Sequence, residues 1–178
     1  MNHIYNLQKL AYNREALLDE SLSLNYDHPI DYDVDPLNSD WLKTRITDDQ
    51  TEANELWQFF NDLLGVKVTP LYYIQPARSP VVKHIDTLCS CSINIVLDRK
   101  PTQPVIFHDS GDEYTYFYRC ALLNVSGYYH EVPPSEEDRR ILRFAISVKS
   151  SYEETLNKLK EGVLDLSLIH ISEPTRRG

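Results

Sequence analysis

The chain has no basic run, no long apolar run and little cysteine, and each absence excludes something. Lys and Arg number 18 against 27 Asp and Glu in 178 residues, a net charge of −9. Such a chain repels phosphate backbones and anionic lipid surfaces, which argues against nucleic acid or membrane as its main partner. No apolar stretch reaches the roughly 20 residues needed to span a bilayer. The opening residues MNHIYNLQKLAYNREALLDE carry scattered charges and lack the apolar core of a secretory leader. The 3 cysteines, Cys89, Cys91 and Cys120, form an odd count without scaffold spacing. That predicts reduced thiols in a cytoplasmic protein. Cys89-Ser90-Cys91 is too tight for a zinc knuckle and has no second pair, so both read as small strand residues. There is no internal repeat.

What is present suits a globular domain acting on a small molecule or a peptide. The first segment has apolar residues at Leu7, Leu10, Ala11, Leu17 and Leu18, which predicts a helix over about 5–22. Residues 25–40 are rich in Asp, Asn and Pro and read as irregular surface chain. Asp31, Asp33 and Asp35 mimic the start of a calcium loop. Pro36 stands where such a loop needs Gly, and Leu42 where it needs Glu, so calcium is rejected. Asp49-Gln50-Thr51-Glu52 has the form of a capping box with Asp49 as cap. Behind it, Leu56, Trp57, Phe59, Phe60, Leu63 and Leu64 make a wide apolar stripe that ends at Gly65. That helix needs a flat apolar partner.

From Val66 the character changes. VKVTPLYYIQ, CSINIVL, PVIF, YTYFYRCALLNV, YYHEV and ILRFAISV are β-branched and aromatic runs divided by turn-forming segments. Six or more short strands predict an antiparallel sandwich or barrel. SYEETLNKLKEGVLD returns to helix, with Ser150 or Ser151 as cap. The expected class is α+β, mainly β, in one domain over 1–165: helical support in 1–65, a β core in 66–150 and a helix in 151–165. The remainder, 166–178, contains LSLIHISEPTR, which resembles a translated sequencing adapter. It is set aside as non-native, and His170 with it.

The chemistry centres on KHIDT. With 6 His and 15 Asp in the chain, about half an H-x-D arises by chance, so His84-Ile85-Asp86 needs partners. In extended chain, residues two apart share a face, so His84 and Asp86 can converge on one ion. His130, in YYHEV, is the third candidate ligand. Two imidazoles and a carboxylate form the facial triad of non-haem Fe(II) oxygenases, which leaves positions open for a 2-oxo acid and dioxygen. The far carboxylate of that acid needs an anchor, and Arg binds carboxylate in a two-pronged fork. Alternation in RILRFAISV puts Leu142, Phe144, Ile146 and Val148 on one face. Ile141, Arg143, Ala145 and Ser147 share the other. Arg143 is the preferred anchor. Arg140, of opposite parity, is the alternative if a bulge switches the faces.

Among the remaining histidines, His108 reads as an exposed loop or substrate-side residue. Tyr114, Tyr116 and Tyr118 alternate along one strand. Asn124 is either a turn former or a pocket donor.

HEVPPSEEDRRILRFAISV resembles the prolyl-hydroxylase-type members of the 2-oxoglutarate/Fe(II) dioxygenases. There, an H-x-D and a distal H-E-V precede a strand similar to R-Y-A-I-T-V. The resemblance covers about residues 66–150. It implies a double-stranded β-helix, or distorted jelly roll, with supporting helices. It implies His84, Asp86 and His130 as iron ligands and Arg143 as the 2-oxoglutarate anchor. The cofactors would be Fe(II), 2-oxoglutarate and dioxygen, with ascorbate allowed as an accessory reductant. The implied activity is hydroxylation of a peptidyl residue or small molecule, with release of succinate and CO2. Two features depart from the family pattern. The approach to H-x-D lacks Gly. Where a Tyr often helps hold 2-oxoglutarate, this chain has Val96 or Asn94, and Tyr73 is the candidate replacement. The rival expectation is a non-catalytic jelly-roll module that binds a ligand or serves a structural role, as in a virus.

Overall fold

The computed structural model describes residues 2–26, 41–100 and 104–172, with side chains up to 162. Within these, the elements run β1 (Ile4–Asn6), α1 (Arg14–Ser23), β2 (Leu42–Arg45), α2 (Thr51–Leu64), β3 (Val68–Gln75), β4 (Val81–His84) and β5 (Cys91–Val96). They continue with β6 (Pro104–Asp109), β7 (Asp112–Phe117), β8 (Cys120–Leu123), β9 (Tyr129–Val132), β10 (Arg139–Ile146) and α3 (Tyr152–Ser172). Ten strands form two antiparallel sheets. The larger has the order β1-β8-β5-β10-β3-β2 and the smaller β4-β9-β6-β7. Facing each other, they make the expected double-stranded β-helix.

The parity of β10 divides the core in two. Leu142, Phe144 and Ile146 join Phe60, Leu64, Leu17 and Leu159 in a cluster that binds the three helices to the outer face of the larger sheet. Ile141 joins Val96, Phe107, Ala121 and Leu123 in a second cluster between the sheets. α2 lies on the sheet as its apolar stripe requires. Phe60 meets Phe144 edge-on at 4.9 Å, and Trp57 Nε1 donates to the Val68 carbonyl at 2.8 Å. Gly65 closes the helix in the left-handed region, at φ 65°. Val148 falls past the end of β10 and is exposed, contrary to the four-residue apolar face expected.

Local sequence misled at the helix starts. The first helix spans only Arg14–Ser23, because Ile4–Asn6 instead pairs with β8 at Ala121–Leu123 as the edge of the larger sheet. Edge pairing satisfies three residues' backbone groups that an isolated helical turn would leave open. Asp49 does not cap α2; it accepts a hydrogen bond from the Thr47 hydroxyl. The cap comes from a distant carboxylate. Glu20 accepts from the backbone N–H of Glu52 at 2.8 Å and of Ala53 at 3.2 Å, and from Tyr72 Oη at 2.9 Å. A negative charge at a helix N-terminus is stabilising, and this one also satisfies a buried hydroxyl. Replacing Glu20 with alanine is expected to cost about 2 kcal/mol, read as a lower urea midpoint, and Glu20→Gln less.

At α3, Ser151 Oγ accepts from Glu154 N–H while the Glu154 carboxylate accepts from Ser151 N–H, both at 3.1 Å. This reciprocal capping box confirms Ser151 as the cap. The helix runs on to Ser172 rather than stopping at 165, through part of the adapter-like stretch. His28, the Asp31–Asp35 segment and the side chain of His170 lie outside the description. No helix among the described residues is long and apolar enough to cross a membrane.

Candidate metal centre

His84 ends β4 and His130 lies in β9. The register of the smaller sheet pairs them directly, His84 with His130. Directly opposed residues in an antiparallel pair share a face, and the two rings stand 4.2 Å apart between the sheets. Asp86 follows β4, held by a hydrogen bond from its backbone N–H to the Val125 carbonyl at 3.0 Å. Its Oδ1 lies 2.9 Å from His84 Nε2 and 3.6 Å from His130 Nε2. One ligand atom from each of the three falls within 4.8 Å of the others. The expected H-x-D plus distal His thus converges on one point.

Each imidazole is oriented from behind. His84 Nδ1 lies 2.7 Å from the Val82 carbonyl and His130 Nδ1 3.2 Å from the Tyr128 carbonyl. Donating Nδ1–H to a carbonyl leaves the Nε2 lone pair for a metal, the arrangement usual behind ligating histidines. Phe107 sits beside His130 with ring centres 5.6 Å apart. His3 stacks on Phe107 at 5.5 Å and is itself buried. Its Nδ1 lies 2.9 Å from Tyr116 Oη and its Nε2 3.2 Å from Asp109 Oδ2. Tyr114 also packs against His3, whereas Tyr118 lies beyond β7, buried against Asn94.

The facing wall is the larger sheet. Arg143 points inward as predicted, and its Nη2 reaches Asp86 Oδ2 at 2.5 Å and Cys89 Sγ at 3.3 Å. Its cross-strand neighbours are Asn94 and Leu71. The guanidinium carbon also lies 6.0 Å from the Tyr73 ring centre. Arg140 is elsewhere. It faces the helices, bonding the Ser21 carbonyl and hydroxyl and lying over the Tyr26 ring. No bulge switches the faces of β10, so Arg140 lies on the face opposite Arg143. Val96, the other residue weighed at the cosubstrate wall, is an apolar neighbour of Ile141.

Burial opposes charge throughout the site, and the pairings decide each group. Burial would raise the Asp86 carboxyl, but the Arg143 charge and the His84 hydrogen bond outweigh it and hold it well below the carboxylate range. Burial pulls His84 down, yet its bonds to Asp86 and the Val82 carbonyl leave it raised above 6.5. For His130 burial wins, and its pKa falls to about 4. The Cys89 thiol is pushed up to about 11 by burial, so it stays protonated. Any proton released when a metal binds is therefore expected from His84 rather than from His130. Protonated His84 predominates below its raised pKa, so metal affinity falls as pH drops through that point. Metal titrations in buffers of different ionisation enthalpy should show more protons released per ion, and weaker binding, at acid than at alkaline pH.

The pocket fits a metal with a carboxylate-bearing ligand. The donor set is two imidazoles and one carboxylate. Between the sheets, Arg143 Nε, Asn94 Oδ1 and Ser92 Oγ are buried without a hydrogen-bond partner. Buried polar atoms are almost always satisfied, so three orphans on one wall mark a place for polar ligand atoms.

Several residues escaped the sequence reading. Cys89, taken as a plain strand residue, contacts both Asp86 and Arg143. His108 belongs to β6, not to a loop. It bonds Glu131 at 2.8 Å on the face of the smaller sheet opposite His130, with Glu113 at 3.7 Å. Asn124 is the turn former, its Oδ1 accepting from Gly127 N–H at 3.2 Å. All 3 cysteines are free and buried.

No protein-family model and no curated protein matches the chain. Solved structures do. A prolyl hydroxylase from Trichoplax adhaerens, in complex with a hypoxia inducible factor oxygen degradation domain peptide, matches with a TM-score of 0.65 at 14% identity. The match covers 86% of this chain and 85% of that one. The viral collagen prolyl hydroxylase of Paramecium Bursaria Chlorella virus-1, in complex with 2-oxoglutarate, matches at TM-score 0.54 and 8% identity over 80% and 93%. A Pseudomonas putida prolyl-4-hydroxylase matches at 0.51 and 18% over 60% and 70%. The fold of this chain is accordingly that of the prolyl-hydroxylase-type 2-oxoglutarate/Fe(II) oxygenases.

Proposed function

We propose that the chain is an Fe(II)- and 2-oxoglutarate-dependent oxygenase that hydroxylates a peptidyl residue or a small molecule. The observation that carries this is the convergence of His84, Asp86 and His130, with Arg143 of the facing sheet against Asp86. Fe(II) held there, with 2-oxoglutarate and dioxygen, supplies the oxidising power for hydroxylation, and the cosubstrate leaves as succinate and CO2. The remaining work falls to the side chains. His84 and His130 present Nε2, fixed by the carbonyls behind them. Asp86 would supply the single anionic ligand of a three-residue set. Arg143 receives the far carboxylate of the cosubstrate, flanked by Tyr73 and by the orphaned Asn94. Val96, Phe107 and Ile141 keep the pocket dry, which strengthens each charge contact. A peptide substrate is favoured by the likeness to the Trichoplax enzyme, which was solved with one.

The test is anaerobic reconstitution with Fe(II) and 2-oxoglutarate, then admission of air with candidate peptides and an assay for succinate, with and without ascorbate. Succinate that depends on both Fe(II) and 2-oxoglutarate is the expected result. Failure to bind Fe(II) would sink the reading. Binding of both without succinate would assign a non-catalytic jelly-roll module instead.

A further inference from the structure

We infer that the Asp86–Arg143 ion pair couples the two halves of the site, so that a dicarboxylate on Arg143 tightens metal binding at His84, Asp86 and His130 without touching the ion. This inference rests on the proposed iron site and goes beyond it. The pair crosses between the sheets, from the second residue after β4 to the middle of β10, at 2.5 Å. Asp86 therefore has two claimants. Its Oδ1 faces the imidazoles, while its Oδ2 is engaged by the guanidinium. Each claim weakens the other, because charge drawn toward Arg143 is less available to a cation.

The charge count gives the sign. With both imidazoles neutral, Asp86 and Arg143 sum to zero. A divalent ion alone would leave two uncompensated positive charges in a half-buried pocket, with Arg143 close by and repelling it. A dicarboxylate alone would leave two negative charges. Together they return the pocket to neutrality, and Arg143 exchanges Asp86 for the ligand carboxylate. The orphaned Nε of Arg143 shows that the guanidinium still has a donor to offer. Two binding events that each relieve the other's charge are positively coupled, and the coupling is reciprocal. Low local dielectric makes it larger than the same charges would give in water. Chelation of the metal by a 2-oxo group adds to this linkage but is not needed for it.

The experiment separates the two contributions with glutarate, a five-carbon dicarboxylate that lacks the 2-oxo group. Mn(II) is titrated calorimetrically into the full chain at pH 8, with and without saturating glutarate. Glutarate should tighten Mn(II) binding about tenfold, within the usual range of coupled sites, and Mn(II) should tighten glutarate by the same factor. Arg143→Gln should bind Mn(II) more tightly than the wild type when no dicarboxylate is present, because Asp86 is released and a positive charge is gone. It should lose the glutarate effect. A merely structural arginine predicts the reverse, weaker metal binding on substitution. Arg143→Lys, which keeps the charge, serves if the glutamine variant does not fold, and should retain a reduced coupling. Mn(II) affinity indifferent to bound glutarate overturns the coupling and leaves the iron-site reading standing. Absence of glutarate binding, with or without Mn(II), also overturns it. No Mn(II) binding at all overturns both.

Discussion

His130→Ala is expected to remove metal binding and 2-oxoglutarate turnover together. Loss of a partner behind a metal ligand already costs 10- to 100-fold in affinity or activity, so loss of the ligand itself should cost on the order of a hundredfold or more. The geometry explains why no neighbour can substitute. His130 stands opposite His84 in register, with Phe107 beside it, and the next residue, Glu131, points to the other face and bonds His108. Asp86 would keep both His84 and Arg143 but could not complete a three-ligand set. Fe(II) titration and the succinate assay should fall in parallel, while the thermal midpoint moves little by comparison. Arg140→Ala provides the contrast. Its side chain faces α1, so it should leave the apparent affinity for 2-oxoglutarate unchanged. Unchanged Fe(II) affinity in His130→Ala would remove His130 from the site.

The largest effect on stability is expected from Phe60→Ala, about 3–5 kcal/mol. Phe60 has no exposed surface and lies among Leu17, Leu64 and Phe144. Truncation would empty the contact between α2 and the larger sheet, and two packed layers cannot close such a space without moving apart. A typical domain is stable by only 5–15 kcal/mol, so this one residue accounts for a large share. The change should reach the site as well, because Phe144 directly follows Arg143 on β10 and anchors that strand from the helix side. Urea unfolding measures it, with Leu22→Ala as the reference. Leu22 is 58% exposed and should shift stability by no more than about 0.5 kcal/mol. A Phe60→Ala cost as small as that of Leu22 would show that α2 is not needed to hold the sheet.

Much of this arrangement was legible because it depends on periods of two and 3.6. The period of two in RILRFAISV put Arg143 and Leu142 on opposite faces of β10, and the structure places them so. The apolar stripe of α2 named Phe60, Leu64 and Leu56, and all three are buried. His84 and Asp86 share a side of the chain by the same alternation. The resemblance in HEVPPSEEDRRILRFAISV pointed to the double-stranded β-helix that the two sheets form.

Other features depend on partners that local pattern cannot name. The cap of α2 was read as Asp49 because a neighbour is the usual source, whereas Glu20 supplies it from another helix. Ile4–Asn6 looked helical and became an edge strand because β8 offered unpaired backbone. Cys89 gave no signal in its own segment; it matters only because β10 brings Arg143 against it. His108 read as an exposed loop or substrate-side residue because its neighbours are Asp109, Ser110 and Gly111.

By itself, then, the sequence determined which residues were candidates for the chemistry and which neighbours along a strand share a face, since both follow from residue type and backbone period. The tertiary structure alone decided that His84 lies opposite His130, that Asp86 is shared between the imidazoles and Arg143, and that Arg140 is left with the helices. Those outcomes turn on strand register and on which sheet faces which. Both are settled by packing between segments far apart in the chain, where no local period reaches.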